Sequence, residues 1–149
     1  MGDEFSIRLA NSDDLSSMAD LLEALFTIED DFIIDTQKQV HGLQLLFEQS
    51  TTTVLVAQHH NRIVGMVSMQ QLISTAVGER VGLIEDMIVQ SDFRGQGIGS
   101  LLLSSLITHS KQLGYKRLSL GVDLRNTPAK AFYTRFGFHT SNMGLMYKI

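Results

Sequence analysis

The chain of 149 residues has no cysteine. Disulfides, thiolate zinc sites and a cysteine nucleophile are excluded together. Proline occurs once, at Pro128. No apolar run approaches the length that crosses a bilayer. Positive charge is the minority, with 12 Lys and Arg against 16 Asp and Glu for a formal net charge of -4. That balance argues against a nucleic-acid partner, which needs a basic face to neutralise phosphates. The opening "MGDEFSIRLANSDD" is acidic and mixed, so it reads neither as a secretory leader nor, without polybasic support, as a myristoyl anchor. No internal repeat or linker interrupts the chain. What is present is 44% hydrophobic residues, enough for one core, so residues 1–149 read as a single cytoplasmic domain.

Local pattern gives the element order. Residues 5–10 alternate as a strand. Asn11 or Ser12 can cap the helix that follows, with Leu15, Met18, Leu21, Leu22 and Leu25 at helical spacing to about Phe26. A second helix spans about 36–48, with Val40, Leu43 and Phe47 on one face. The run 51–72 reads as a hairpin turning at "HHNR", where Asn61 suits a turn conformation and the two histidines face water. A strand over about 80–89 leads into a glycine loop and a helix carrying Ile98, Leu102, Leu106 and Leu113, which stops at Gly114. "KRLSLGVD" is another strand. Thr127 suits the cap of a last helix with Pro128 in its first turn and Gly137 at its stop, and "LMYKI" reads as a final strand. The order βααβββαβα, with one or two strands after it, predicts a mixed α/β fold with a mostly antiparallel sheet.

The informative stretch is "DFRGQGIGSLL", residues 92–102. Glycine tolerates positive φ and lets backbone approach a ligand closely. A helix N-terminus offers unpaired N–H groups and partial positive charge. Together they make an anion site, with Arg94 adding a fixed charge. The spacing matches neither familiar nucleotide motif. The lysine of a Walker loop is missing after the last glycine. A dinucleotide fingerprint has a different glycine spacing and belongs on a first strand.

"RGQGIG", residues 94–99, resembles the acetyl-CoA pyrophosphate loop of the GNAT N-acetyltransferases. "IEDMIVQSDFRGQGIG" resembles that family's fourth strand and loop. "LGVDLRNTPAKAFYTRFGF" resembles its fifth strand, its asparagine and its last helix. The strong part of the resemblance covers about residues 81–138. It implies a GNAT-like acyl-CoA fold, with the fourth and fifth strands splayed and flanked by helices. It implies acetyl-CoA as donor, an amine as acceptor, no metal, and a homodimer. The pyrophosphate would lie on Arg94, Gly95, Gln96, Gly97, Ile98, Gly99 and Ser100, and the pantetheine arm on Met87, Ile88, Val89 and Asn126, with Tyr133 beside it.

Amide formation sets three tasks: removing a proton from the ammonium, stabilising an oxyanion, and protonating the departing thiolate. Backbone N–H groups near Met87, Ile88 and Val89 could meet the oxyanion. Tyr133 is the acid that the resemblance implies; the plainer alternative is a core aromatic beside Phe132. Glu85 is the candidate base, directly or through water; the alternative is that Glu85 and Asp86 pair with cations on neighbouring strands. Plain alternation puts Leu83, Glu85, Met87 and Val89 on one face of the strand. His41, His59, His60, His109 and His139 have no metal spacing, and the methionines read as core.

Between the first two helices, "TIEDDFIID" carries Glu29, Asp30, Asp31 and Asp35 beside Phe32, Ile33 and Ile34. With Glu85, these carboxylates suit a small cationic acceptor such as a polyamine. A solvated acidic loop is the alternative. Protein or peptide N-acetylation, and a non-catalytic acetyl-CoA sensor, stay open as other functions of the same core.

Overall fold

In a computed structural model, which describes residues 4–28 and 34–149, one five-stranded sheet runs in sequence order. Its strands are β1 (Phe5–Leu9), β2 (Thr53–His59), β3 (Arg62–Ser74), β4 (Glu79–Val89) and β5 (Leu118–Leu120). β1 to β4 pair antiparallel, and β5 pairs parallel to β4. The helices are α1 (Leu15–Ile28), α2 (Thr36–Glu48), α3 (Ile98–Gln112) and α4 (Thr127–Arg135). The mixed α/β order is the one expected up to α4.

Each face of the sheet buries one cluster. On one, Met18, Leu21, Leu22 and Leu25 of α1, with Leu43 of α2, meet Val54, Val56, Met66 and Ile88. On the other, Leu102, Leu103 and Leu106 of α3 meet Leu55, Val64, Val67 and Ile84. Leu113 is not part of this stripe. It sits past the last turn of α3 and is half exposed, and Gly114 behind it takes the left-handed conformation at φ 78°.

Local chemistry fixes the ends. Asn11 caps a 3-10 turn, Ser12–Asp14, that leads into α1; the Asp14 side chain answers the Asn11 N–H at 2.9 Å. The same carboxylate takes two bonds of 2.8 Å from Arg8, which ties β1 to the start of α1. Asn126, rather than Thr127, caps α4: its Oδ1 accepts from the Ala129 N–H at 3.1 Å. In the β2–β3 turn it is His60, not Asn61, that adopts positive φ, at 54°. His59 is packed rather than solvated, its ring 4.9 Å from that of Phe5 and 5.2 Å from that of Phe93. Residues 139–149 form no strand. The expected closing strand "LMYKI" has a suitable pattern but belongs to no strand of the described sheet.

Candidate active site

Two irregularities in β4 make the site. The first is a bulge. Met66 pairs with Ile88 and Ser68 with Glu85, so two steps on β3 face three on β4. Asp86 takes φ 55° there, a conformation that aspartate tolerates better than most residues. The extra residue inverts the alternation. Glu85 shares the α1 face with its register partner Ser68, while Met87 and Val89 pack with the α3 cluster. The expected common face for Glu85, Met87 and Val89 is therefore corrected. Nothing in "LIEDMIV" distinguishes a bulged strand from a straight one.

The second irregularity is the end of pairing. Only Gly82, Leu83 and Ile84 pair with β5, through Leu118, Ser119 and Leu120. From Glu85 onward β4 has no β5 partner, so the two strands part where Glu85, Met87, Ile88 and Val89 lie. Gly82 allows the close pairing just before the gap. A Cβ there would stand 2.7 Å from Met69 Sδ and 2.8 Å from Leu118 Cδ2.

The glycine loop leaves β4 through a 3-10 turn, Ser91–Phe93. Phe93 anchors it: its ring meets that of His59, and the Arg62 guanidinium lies 5.3 Å above it. Sequence reasoning missed this anchor, because its partners come from the far turn of the sheet. Arg94 folds back, donating from Nε to the Val89 carbonyl at 2.9 Å. Part of the cation expected for the anion thus holds the end of β4, and its two terminal nitrogens remain for a ligand. Gly95 and Gly97 have φ of 79° and 83°, and a Cβ on either would meet nothing within 4 Å. Gly97 is the N-cap of α3, and no side chain caps this end. The first N–H groups of α3, from Ile98, Gly99 and Ser100, therefore face an open backbone cradle. That arrangement fits a pyrophosphate.

Gly99 serves a different purpose. A Cβ on it would stand 3.5 Å from Met87 Cε and 3.6 Å from Phe132 Cζ. Here β4, α3 and α4 converge. Tyr133 follows Phe132, half-buried, with its ring 5.2 Å from Phe132 and 5.9 Å from Phe138. Met87, Gly99 and Tyr133 are thus brought to the α3 side of the gap, and Glu85, which is exposed, to the α1 side. Asn126 is exposed at the start of α4, with Oδ1 engaged in the cap. Glu29, Asp30 and Asp31 lie outside the described residues; Asp35 is the α2 cap, accepting from the Lys38 N–H at 3.2 Å. Among the described residues no group of three or more His, Asp or Glu could hold a metal ion. Nor is any described helix long and apolar enough to cross a membrane.

A strand that parts from its neighbour beside an uncapped, glycine-led helix is the architecture of an acyl-CoA-dependent transferase. The family model described as acetyltransferase (GNAT) family matches residues 16–138, and the chain belongs to that family. An uncharacterized N-acetyltransferase of Methanocaldococcus jannaschii is 28% identical over 136 residues, covering 90% of this chain and 60% of that one. This chain therefore spans less than two thirds of that relative's length. An aminoalkylphosphonate N-acetyltransferase of Salmonella typhimurium is 26% identical over 136 residues, covering 91% and 86%. Among solved structures, one described as a transcriptional regulator from Bacillus halodurans C-125 superposes with a TM-score of 0.87 at 27% identity. It covers 98% of this chain and all of that one.

Proposed function

We propose that the chain is an N-acetyltransferase that moves the acetyl group of acetyl-CoA to a primary amine by direct attack, with both substrates bound together. The observation that carries this reading is the pairing of an uncapped α3 N-terminus with a β4 edge released from β5 beyond Ile84. The cradle of residues 94–100 takes the pyrophosphate, and the free edge at Met87, Ile88 and Val89 offers backbone groups to the pantetheine arm. Asn126 keeps its Nδ2 as a donor to that arm.

The two reacting side chains sit on opposite faces of the sheet. Glu85, on the α1 face, takes a proton from the incoming ammonium, directly or through water. The amine then forms a C–N bond, and an oxyanion builds on the acetyl carbonyl beside the N–H groups of the bulge. As the oxyanion collapses, the C–S bond breaks on the α3 side, the new amide nitrogen releases its second proton to solvent, and Tyr133 gives its hydroxyl proton to the thiolate and recovers one from solvent.

The acceptor in this reading is a small cationic amine, with a polyamine as the leading example. Glu29, Asp30 and Asp31 precede α2, and Glu85 is exposed at the gap. Asp35 contributes less, since its side chain caps α2. The reading includes a cytoplasmic homodimer. The second reading is a non-catalytic acetyl-CoA sensor, favoured by the regulator description attached to the Bacillus halodurans structure.

The test is acetyl-CoA with spermidine, 2-aminoethylphosphonate, glucosamine and a lysine-bearing peptide, reading free thiol. Spermidine is expected to give the highest kcat/KM. Asp30→Asn with Asp31→Asn should raise its KM, more at low salt, and leave that of acetyl-CoA alone. Preference for the phosphonate or the peptide would overturn the polyamine assignment. Calorimetric CoA binding without thiol release from any amine would favour the sensor.

A further inference from the structure

A cavity of about 310 Å³ lies where α2 ends. Leu45 and Leu46 of α2 line it, with Gln49, Thr51 and Thr52 of the link to β2 and Gln70 and Gln71 of β3. None of these side chains is charged. The threonine hydroxyls and glutamine amides supply oxygens that accept hydrogen bonds. The electrostatics of the cavity favour a cation. The last carbonyls of a helix carry partial negative charge, roughly half an elementary charge in all. Leu45 and Leu46 stand in the last turn of α2. Basic residues commonly answer that charge, yet the last turn of α2 has none, and Glu48 there adds a carboxylate. The cap residue Gln49 is extended and exposed, and its N–H donates to the Leu46 carbonyl at 3.2 Å. Such an end repels an anion and gains little from a neutral group.

Strand register ties the cavity to the gap in the sheet. Gln70 follows Ser68 by two residues on β3, so both side chains take the α1 face. Gln71 turns the other way, where its Oε1 accepts from the Tyr115 hydroxyl at 3.2 Å. Ser68 is the register partner of Glu85, and Gln70 that of Leu83. Gln70 and Glu85 are therefore diagonal neighbours on one face, about 7–8 Å apart by the geometry of a strand pair. A short alkyl spacer bridges that distance, and Leu45 and Leu46 offer its methylenes an apolar wall.

We propose that this cavity is the subsite for the second ammonium of a diamine or polyamine whose first amine reacts beside Glu85. This rests on the acceptor reading above and names where the far end of the acceptor lies. The second ammonium stays protonated. It donates to amide and hydroxyl oxygens of Gln49, Thr51, Thr52 and Gln70 and sits against the negative end of α2, with no carboxylate lining the cavity to form an ion pair. A monoamine of the same chain length reaches Glu85 but leaves this subsite without its cation.

The test compares putrescine with butylamine, which share one alkyl chain and differ in the second amine. Thiol release should show a higher kcat/KM for putrescine with the wild type. Gln49→Lys puts a cation at an exposed helix C-terminus, a change that favours the helix, so its melting temperature should be no lower. The kcat/KM ratio of putrescine to butylamine should fall about tenfold, through the KM of putrescine and more at low salt. Gln70→Leu is close in size, adds no charge, and should lower the same ratio. Calorimetry of putrescine with the CoA-bound protein gives a second readout without turnover: the wild type binds, and both variants bind more weakly. A ratio and a putrescine affinity that neither variant changes would overturn this subsite while leaving the polyamine acceptor standing. A wild type that acetylates another amine and neither binds nor acetylates putrescine would overturn both. Putrescine binding that both variants weaken, without acetylation, would support the cavity as an alkylammonium site and overturn its link to acetyl transfer.

Discussion

The Ser68 hydroxyl donates to the Glu85 carbonyl at 3.0 Å, across the bulge, from a side chain with no solvent exposure. The bond satisfies a carbonyl at the point where β4 loses its regular ladder. Ser68→Ala removes this donor from a part-buried carbonyl and leaves a small void on the buried side of β3. A loss of about 1–3 kcal/mol of stability is expected, read as a lower urea midpoint with unchanged slope. Acetyl transfer should fall further than CoA affinity, because the bulge aims Glu85 and not the pyrophosphate cradle.

The glycines of the loop should answer differently to substitution. Gly97 has φ 83° and open space around it, so Gly97→Val strains the backbone and fills the cradle. CoA binding measured by calorimetry should be lost while the protein stays folded. Gly99→Ala meets Met87 and Phe132 only at ordinary contact distances. It should fold at least as well as the wild type, since alanine is the better helix residue by roughly 1 kcal/mol.

Tyr133→Phe keeps the ring and its packing with Phe132 and Phe138 and removes only the hydroxyl. Turnover should drop by roughly ten-squared to ten-fourth, with CoA affinity nearly unchanged. Equal turnover when chemistry limits the rate would leave Tyr133 with a packing role alone.

These outcomes depend on features that were unequally legible in the sequence. The bounds of α2, the glycine loop and the stops at Gly114 and Gly137 are local, because capping and left-handed φ act within a few residues. The bulge at Asp86 is not local. It follows from how many residues of β3 stand opposite β4, and it moved Glu85 and Met87 to different faces. The anchoring of Phe93 by His59 and Arg62, and the hold of Ser68 on Glu85, join segments remote in sequence. Residue type alone points to neither.

Acid stability should track Asp14. Its hydrogen bonds from Arg8 hold its carboxyl below the ordinary carboxylate value, against a smaller opposing effect of burial. A depressed folded value means the stabilisation is present above the unfolded carboxylate pKa, and is lost as pH falls through the folded one. Arg8→Gln should therefore cost about 1–3 kcal/mol at neutral pH, a figure discounted for the partly exposed guanidinium. The difference from wild type should shrink towards zero in urea titrations at strongly acidic pH. A constant difference across pH would assign the loss to the other Arg8 contacts, the bonds to Gln58 at 2.8 Å and to the Leu9 carbonyl at 3.1 Å.

Gln39, on the buried side of α2, is 8% exposed, and among the described residues neither polar atom of its amide has a partner. Gln39→Met is close in shape and removes both unpaired groups. The variant should be more stable by about 1–2 kcal/mol, seen as a raised melting temperature. A lowered one would mean that the amide is engaged in solution.

The pairing of β5 with β4 through only three residues divides the molecule into unequal parts in time as well as in space. β1 to β4 form a continuous hydrogen-bonded body, whereas β5 joins it by a short seam closed over Gly82 and α4 by the packing of Phe132, Tyr133 and Phe136. Such a seam can open without global unfolding, so the amides of β5 and α4 should exchange with solvent ahead of those of β2 and β3. A ligand bridging the loop before α3 and the cap of α4 would stitch the late segment to the early one, and slow exchange would then spread across both.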